Sequence, residues 1–182
     1  MKIHPNTCIR NLVKSPEREN YLVFSRPQTM FLAARLYLSD QRYFEQINAL
    51  ADKSLASIFQ ALPELVLGIE HERSYGEAID EVVNNIASKN KYQVDGSDNE
   101  ALMIMMLNKG RINALLEYPT VFQLDSQRLF PAKTFFSVPL LEVDPFIFGR
   151  IACSKTSVGH QIIADIDEKL PLLYQQRAFL DA

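Results

Sequence analysis

The sequence predicts an α/β protein. Three observations carry that expectation: a strand–helix–strand–helix–strand rhythm from about 65 to 118, an almost wholly apolar extended run from Met30 to Leu38, and a composition suited to a packed core. Of 182 residues, 47% are hydrophobic and 23% charged, too apolar and too evenly charged for a disordered chain. Nineteen basic residues stand against 22 acidic ones, a net charge of −3. That balance lacks the concentrated basic surface of a nucleic-acid reader. No apolar run approaches the roughly 18 residues of a membrane helix, so no membrane span is expected. The start, Met1 to Cys8, has Lys2 but no apolar segment behind it and does not read as a signal peptide.

The elements follow in order. Ser15-Pro16 opens a short helix, with Ser as N-cap and Pro at the first helical position, where its missing amide costs nothing. Tyr21–Ser25 is rich in β-formers and reads as a strand stopped by Pro27. Met30–Leu38 reads as one strand of a sheet covered on both faces, the usual condition of a parallel sheet. Phe44, Ile47, Leu50, Leu55, Ile58 and Phe59 keep helical spacing and predict one helix over 41–61. A buried strand is expected over 65–69. Ser74-Tyr75-Gly76-Glu77 then fits a capping box for a helix carrying Ile79, Val82, Val83 and Ile86. Tyr92–Val94 is a brief strand. Ser97–Glu100 is a second capping box, for a helix with Leu102, Met105 and Met106 inward and Gly110 just past its end. A strand returns over 111–118. The stretch 119–145, with four prolines and no helical period, reads as a winding connection. Phe146–Cys153 is strand-like, and the last helix runs from Ser157, with Val158, Ile162, Ile166 and Leu170 inward and Pro171 disturbing its end.

Enzyme signatures are missing. His4, His71 and His160 are scattered, and there is no nucleophile elbow, P-loop or dinucleotide fingerprint. Neither an enzymatic activity nor a cofactor or metal is expected. The run Asp165–Glu168 reads as a solvated helix face, Asp95–Glu100 as a turn plus cap, and the Met103, Met105, Met106 group as core filling. Binding has more support. A helix N-terminus offers free amides and partial positive charge, and the turn Glu72–Gly76 follows a strand and opens a helix. Ligands of open α/β sheets bind at this end. The same turn is equally a plain capped helix, and Arg18 is either a carboxylate clamp or a surface charge.

Four segments together resemble the type 2 periplasmic solute-binding proteins, solute-binding protein family 3. Lys14-Ser15-Pro16-Glu17-Arg18 leading to Phe24-Ser25-Arg26-Pro27 is similar to the family's T-x-x-R and FS-x-P. Gly68-Ile69 through Ser74-Tyr75-Gly76 is similar to its G-V-x-x-G-[ST]-[TY] turn. Gly110-Arg111-Ile112-Asn113-Ala114 is similar to its G-R-[IL]-D-A. Ile151–Thr156 with Gly159 is similar to its C-terminal strand-turn-helix.

The resemblance implies a periplasmic-binding-protein-like type II fold of two lobes, residues 1–49 and 144–182 forming lobe 1 and 50–143 lobe 2. It also implies a longer start than this chain has, so lobe 1 is expected to be incomplete, with self-association through the gap. The implied function is extracytoplasmic, periplasmic capture of a small carboxylate-bearing, amino-acid-like solute for an ABC transporter permease. The alternative is a ligand-sensing or partner-binding domain of the same fold with no transport role. Arg18 would grip the carboxylate, with Ser74, Tyr75 and Gly76 offering hydroxyl and amides from the other lobe.

Departures from the pattern sharpen this. Asn113 replaces the motif's Asp, and Arg10, Asn11 and Val13 replace small hydroxyl residues, which places Asn11 among the candidate ligand contacts. The acid that would hold a ligand ammonium falls at Tyr118, with Glu117 just before it. The pattern is closer to a branch with P-E-R and G-R-x-x-A-x-x-E-Y-P, whose ligand would be larger or more anionic. Cys8 and Cys153 both fall in lobe 1 and would pair if their Cα atoms lie within about 7 Å, and are otherwise two free thiols.

Overall fold

In the computed structural model, residues 6–70, 73–94 and 99–174 are described. His4, His71, Glu72 and the Asp95–Asp98 part of the second capping box lie outside them. The chain divides into two compact units, residues 1–31 with 146–182, and residues 32–145.

The first unit is a small sheet with one long helix. Its strands are β1 (Cys8–Val13), β2 (Leu22–Phe24), β3 (Thr29–Leu32) and β9 (Phe146–Ser154), with α1 (Pro16–Glu19) between β1 and β2. The nine-residue β9 is the centre: β1 and β2 pair antiparallel on either side of it, and β3 pairs with it as well. Ser15 caps α1 and Pro16 starts it, as the sequence predicts. Ser25 is buried, and its hydroxyl accepts the Ile151 N–H at 3.0 Å while donating to the Arg26 carbonyl.

The last helix, α7 (Ser157–Tyr174), lies on β9 with Gly159, Ile163 and Leu170 buried and Ile162 and Ile166 partly so. Val158 faces solvent instead of the core, and the helix continues through Pro171. A Cβ at residue 159 would run into the Ser154 carbonyl, so glycine permits the helix to start this close to the strand it follows. The Asp165–Glu168 run is not all solvated: Asp167 accepts the Arg26 N–H at 2.7 Å and ties α7 to the end of β2.

The second unit is a three-layer sandwich. Its elements are β4 (Arg35–Leu38), α2 (Gln41–Asn48), α3 (Leu55–Ala61), β5 (Leu67–Glu70), α4 (Glu77–Asn85), β6 (Lys91–Val94), α5 (Glu100–Asn108), β7 (Ala114–Glu117), α6 (Pro119–Leu129) and β8 (Phe136–Pro139). The sheet runs β6-β5-β7-β4-β8, parallel between β6, β5 and β7 and antiparallel where β4 meets β7 and β8. Period-two alternation feeds both faces. Leu36, Leu38, Leu67, Ile69, Ala114 and Leu116 meet Ile47, Ile58, Ile79 and Val83 on one side. Tyr37 and Leu115 meet Met103, Ile104, Leu107 and Phe122 on the other. Burying each large aliphatic side chain contributes about 1.5–3 kcal/mol, so this two-faced core positions everything at its rim.

Several expectations are corrected here. The extended run 30–38 is two strands, β3 and β4, and β4 is antiparallel, since full burial on both faces does not require parallel neighbours. The expected helix over 41–61 is two, because Asp52 accepts the Ser54 N–H and the Ser54 and Ser57 hydroxyls, and Ser54 caps a new helix. In α5 Met106 is inward, but Leu102 and Met105 are exposed and Met103, Ile104 and Leu107 are buried. That helix is apolar all round, so spacing cannot choose its inner face.

The winding connection over 119–145 in fact holds α6 and β8. Pro119 sits in the first turn of α6, where no amide is needed, and the remaining prolines lie outside the helix. Gly110 closes α5 as expected, with bonds Gly110 N–H to Leu107 and Arg111 N–H to Met106. The division of the chain falls at 31/32 and 145/146 rather than at 49/50 and 143/144, because β4 and α2 pack into the second unit's sheet and core.

Candidate functional site

The parallel strands β5 and β7 end side by side in acids, Glu70 and Glu117, at the edge where open α/β sheets bind ligands. Arg73, three residues after Glu70, lies between them. Its Nη1 donates to Glu70 Oε2 at 2.8 Å and to Glu117 Oε2 at 2.9 Å, and its Nη2 donates to Glu117 Oε1 at 2.5 Å. Glu100, at the start of α5, stands 3.8 Å from Nη1. The guanidinium carbon lies 5.8 Å from the Tyr75 ring centroid and 5.1 Å from that of Tyr118, within cation–π reach of both. The second tyrosine is anchored by its hydroxyl, which donates to the Ser74 carbonyl at 2.9 Å.

Five of the expected site residues, Ser74, Tyr75, Gly76, Glu117 and Tyr118, therefore meet in the second unit. Gly76, at φ 108°, a conformation costly for any other residue, is the N-cap of α4, so the Ser74–Glu77 capping box is not formed. Asp80, in the first turn of α4, takes its place: it accepts the Ser74 hydroxyl at 2.6 Å and the Tyr75 N–H at 2.8 Å. The Gly76 N–H reaches Ser74 Oγ at 3.4 Å. The hydroxyl and amide expected to greet a ligand anion are thus engaged by an internal carboxylate, which suits the positive helix end equally well. Asn113 is structural, its side chain accepting the Val66 N–H at 2.9 Å.

Arg18 and Asn11 belong to the first unit. Arg18 is half-buried and its Nη1 donates to the Val13 carbonyl at 2.8 Å; the rest of its fork has no partner among the described residues. Asn11 adopts φ 57° in the irregular stretch of the β1–β9 pairing, and its Oδ1 accepts the Thr29 hydroxyl at 3.1 Å. Cys8 and Cys153 face each other in the β1–β9 register and are joined by a disulfide, with Cα atoms 4.0 Å apart.

Glu70, Arg73, Asp80 and Glu100 are absent from the sequence-level set. The available signal was positional: a lone arginine in a turn that follows one strand-ending acid and faces another. Glu117 is the one charged residue fully buried among the described residues. Burial pushes its carboxyl up from the ordinary 4.5 to about 7, against the opposing pull of Arg73. Burial also works against the Arg73 charge, and Glu117 and Glu70 outweigh it.

Folded Glu117 holds its proton more tightly than the unfolded chain, so its contribution is fully present below pH 4.5 and is lost as pH rises through about 7. Melting temperatures measured from pH 4 to 8 should show this loss in the wild type and not in Glu117→Gln. Parallel curves for the two proteins would show that Glu117 does not titrate in this window.

No protein-family model and no curated protein matches the chain. Solved structures do. An amino acid ABC transporter substrate-binding protein, AbpA, from Streptococcus pneumoniae, bound to L-arginine, is 17% identical, with TM-score 0.61 over 94% of this chain and 62% of its own. The chain has the periplasmic-binding-protein-like fold. The arginine-binding protein of T. maritima shares it at 13% identity and TM-score 0.61, over 93% of this chain and 64% of its own. So does a histidine kinase sensor domain with similarity to periplasmic binding proteins, at 10% identity and TM-score 0.67 over 96% and 66%. The chain spans a little under two thirds of the length of these structures. Among the described residues, no helix of this fold is long and apolar enough to cross a membrane.

Proposed function

We propose that the chain is an extracytoplasmic solute-binding protein that captures a small carboxylate-bearing solute for an ABC transporter. The observation that carries this reading is the set of charged and aromatic groups gathered where parallel strands β5 and β7 end, on a fold shared with amino-acid-binding proteins. Arg18 is the carboxylate's partner, since most of its planar fork has no partner among the described residues. Further candidate contacts are Asn11 on the first unit and Ser74, Tyr75, Gly76, Glu117 and Tyr118 on the second. The Cys8–Cys153 bridge supports an oxidising compartment such as the periplasm. Self-association belongs to the same reading, supported by the exposed Met30, Phe146 and Phe148 of the first unit.

Calorimetry against a panel of small carboxylates tests it. A bound carboxylate is expected, and Arg18→Ala should weaken it by about tenfold or more, the loss of one charge-assisted bidentate contact. Unchanged affinity in that variant removes Arg18 from the site. A second reading, a sensory domain without transport, is favoured by the TM-score of 0.67 to the histidine kinase sensor domain. A binding protein should associate with a permease in a ligand-dependent way, whereas a sensory domain should not.

A further inference from the structure

We infer that Arg73 sets what the site accepts: it fills, from within the chain, a cation seat formed by Glu70, Glu117, Tyr75 and Tyr118, so the captured carboxylate is one without an amino group. The inference rests on the solute-binding reading above and narrows its substrate class. The seat is complete without a ligand. Glu117 Oε1 accepts both Arg73 Nη2 and the Tyr118 N–H, and Oε2 accepts Arg73 Nη1, so both oxygens are engaged. Glu70 takes a further Arg73 contact, and two tyrosine rings flank the guanidinium. Two acids and two aromatic faces are what an incoming ammonium or guanidinium would need. Here the chain's own arginine uses all four.

A solute ammonium would have to displace Arg73 from a buried bidentate contact, leaving its charge without a partner, or else approach a like charge. An acid that differs only by lacking the ammonium meets neither obstacle.

The test compares acids that differ only in the α-amino group: glutarate with L-glutamate, and 4-methylpentanoate with L-leucine, extended to further such pairs, by calorimetry on the full chain. The wild type should bind the amino-free member about tenfold or more tighter. Arg73→Ala should narrow or invert that ratio by freeing Glu117. Arg73→Gln, which keeps a hydrogen bond to the acid without the charge, should do the same and guards against misfolding of the first variant. Methylguanidinium should raise the melting temperature of Arg73→Ala and leave the wild type unmoved. A wild type that binds the amino acids as tightly as their amino-free partners overturns the role of Arg73 and leaves the solute-binding reading standing. Binding of neither member of any pair overturns both. A ratio unchanged in both variants, or no methylguanidinium effect, also overturns the assignment to Arg73.

Discussion

Glu117→Ala is expected to destabilise the protein by about 3 kcal/mol at pH 8, in urea denaturation followed by circular dichroism. At that pH the carboxylate is charged and its bidentate pair with Arg73 is complete. Removing it does not simply delete an interaction. It leaves a guanidinium in a largely buried place, and stranding one partner of such a pair typically costs about 3–5 kcal/mol. The lower end applies because Glu70, at 2.8 Å, still meets Arg73. The methylenes and carboxyl of residue 117 are also lost from a buried strand end. The double substitution Arg73→Met, Glu117→Leu separates these terms. It removes both charges while keeping volume, and exchanges of this kind are often neutral or stabilising. A double variant as unstable as Glu117→Ala would show that packing, not the ion pair, accounts for the loss.

The same pair shows where sequence reading stops. Strong, short-range signals survived folding: Ser15-Pro16 starts a helix, Gly110 closes one, and the strand–helix alternation from 65 to 118 is present. Each is decided by a few neighbouring residues. The misread elements were decided at a distance. The inner face of α5 is chosen by β7 and α6 and not by its own all-apolar sequence. The helix α6 was hidden by a proline that reads as a stop yet sits where a helix tolerates it. Of the candidate residues, Ser74, Tyr75 and Gly76 were legible from a motif-like turn, and Glu117 and Tyr118 from a place where the pattern departs. Their partners Arg73 and Asp80 were not. Each completes its contact through a side chain reaching across a turn or between strands, and a local pattern does not record that.

Reducing the Cys8–Cys153 bridge is expected to lower the melting temperature by roughly 10 °C. The bridge spans 145 positions of sequence, and the chain-entropy estimate for a closed loop of that size is about 5 kcal/mol, within a usual range of about 2–5. Its structural context favours a substantial share of that. Among the described residues the edge strand β1 pairs only with β9, and its side chains are exposed or at most half-buried. Little apolar burial holds it, so the covalent link carries weight that a core strand would share with packing. The consequence reaches the candidate site, because β1 ends at Val13, whose carbonyl receives Arg18 Nη1. A loosened β1 loosens the arginine assigned to the solute carboxylate. Reduced protein, or the Cys8→Ser, Cys153→Ala variant, should therefore lose both thermal stability and carboxylate affinity, while the Arg73–Glu117 seat in the other unit keeps its pH dependence. Loss of stability with affinity unchanged would separate Arg18 from β1. An unchanged melting temperature would mean that the β1–β9 ladder suffices without the bridge.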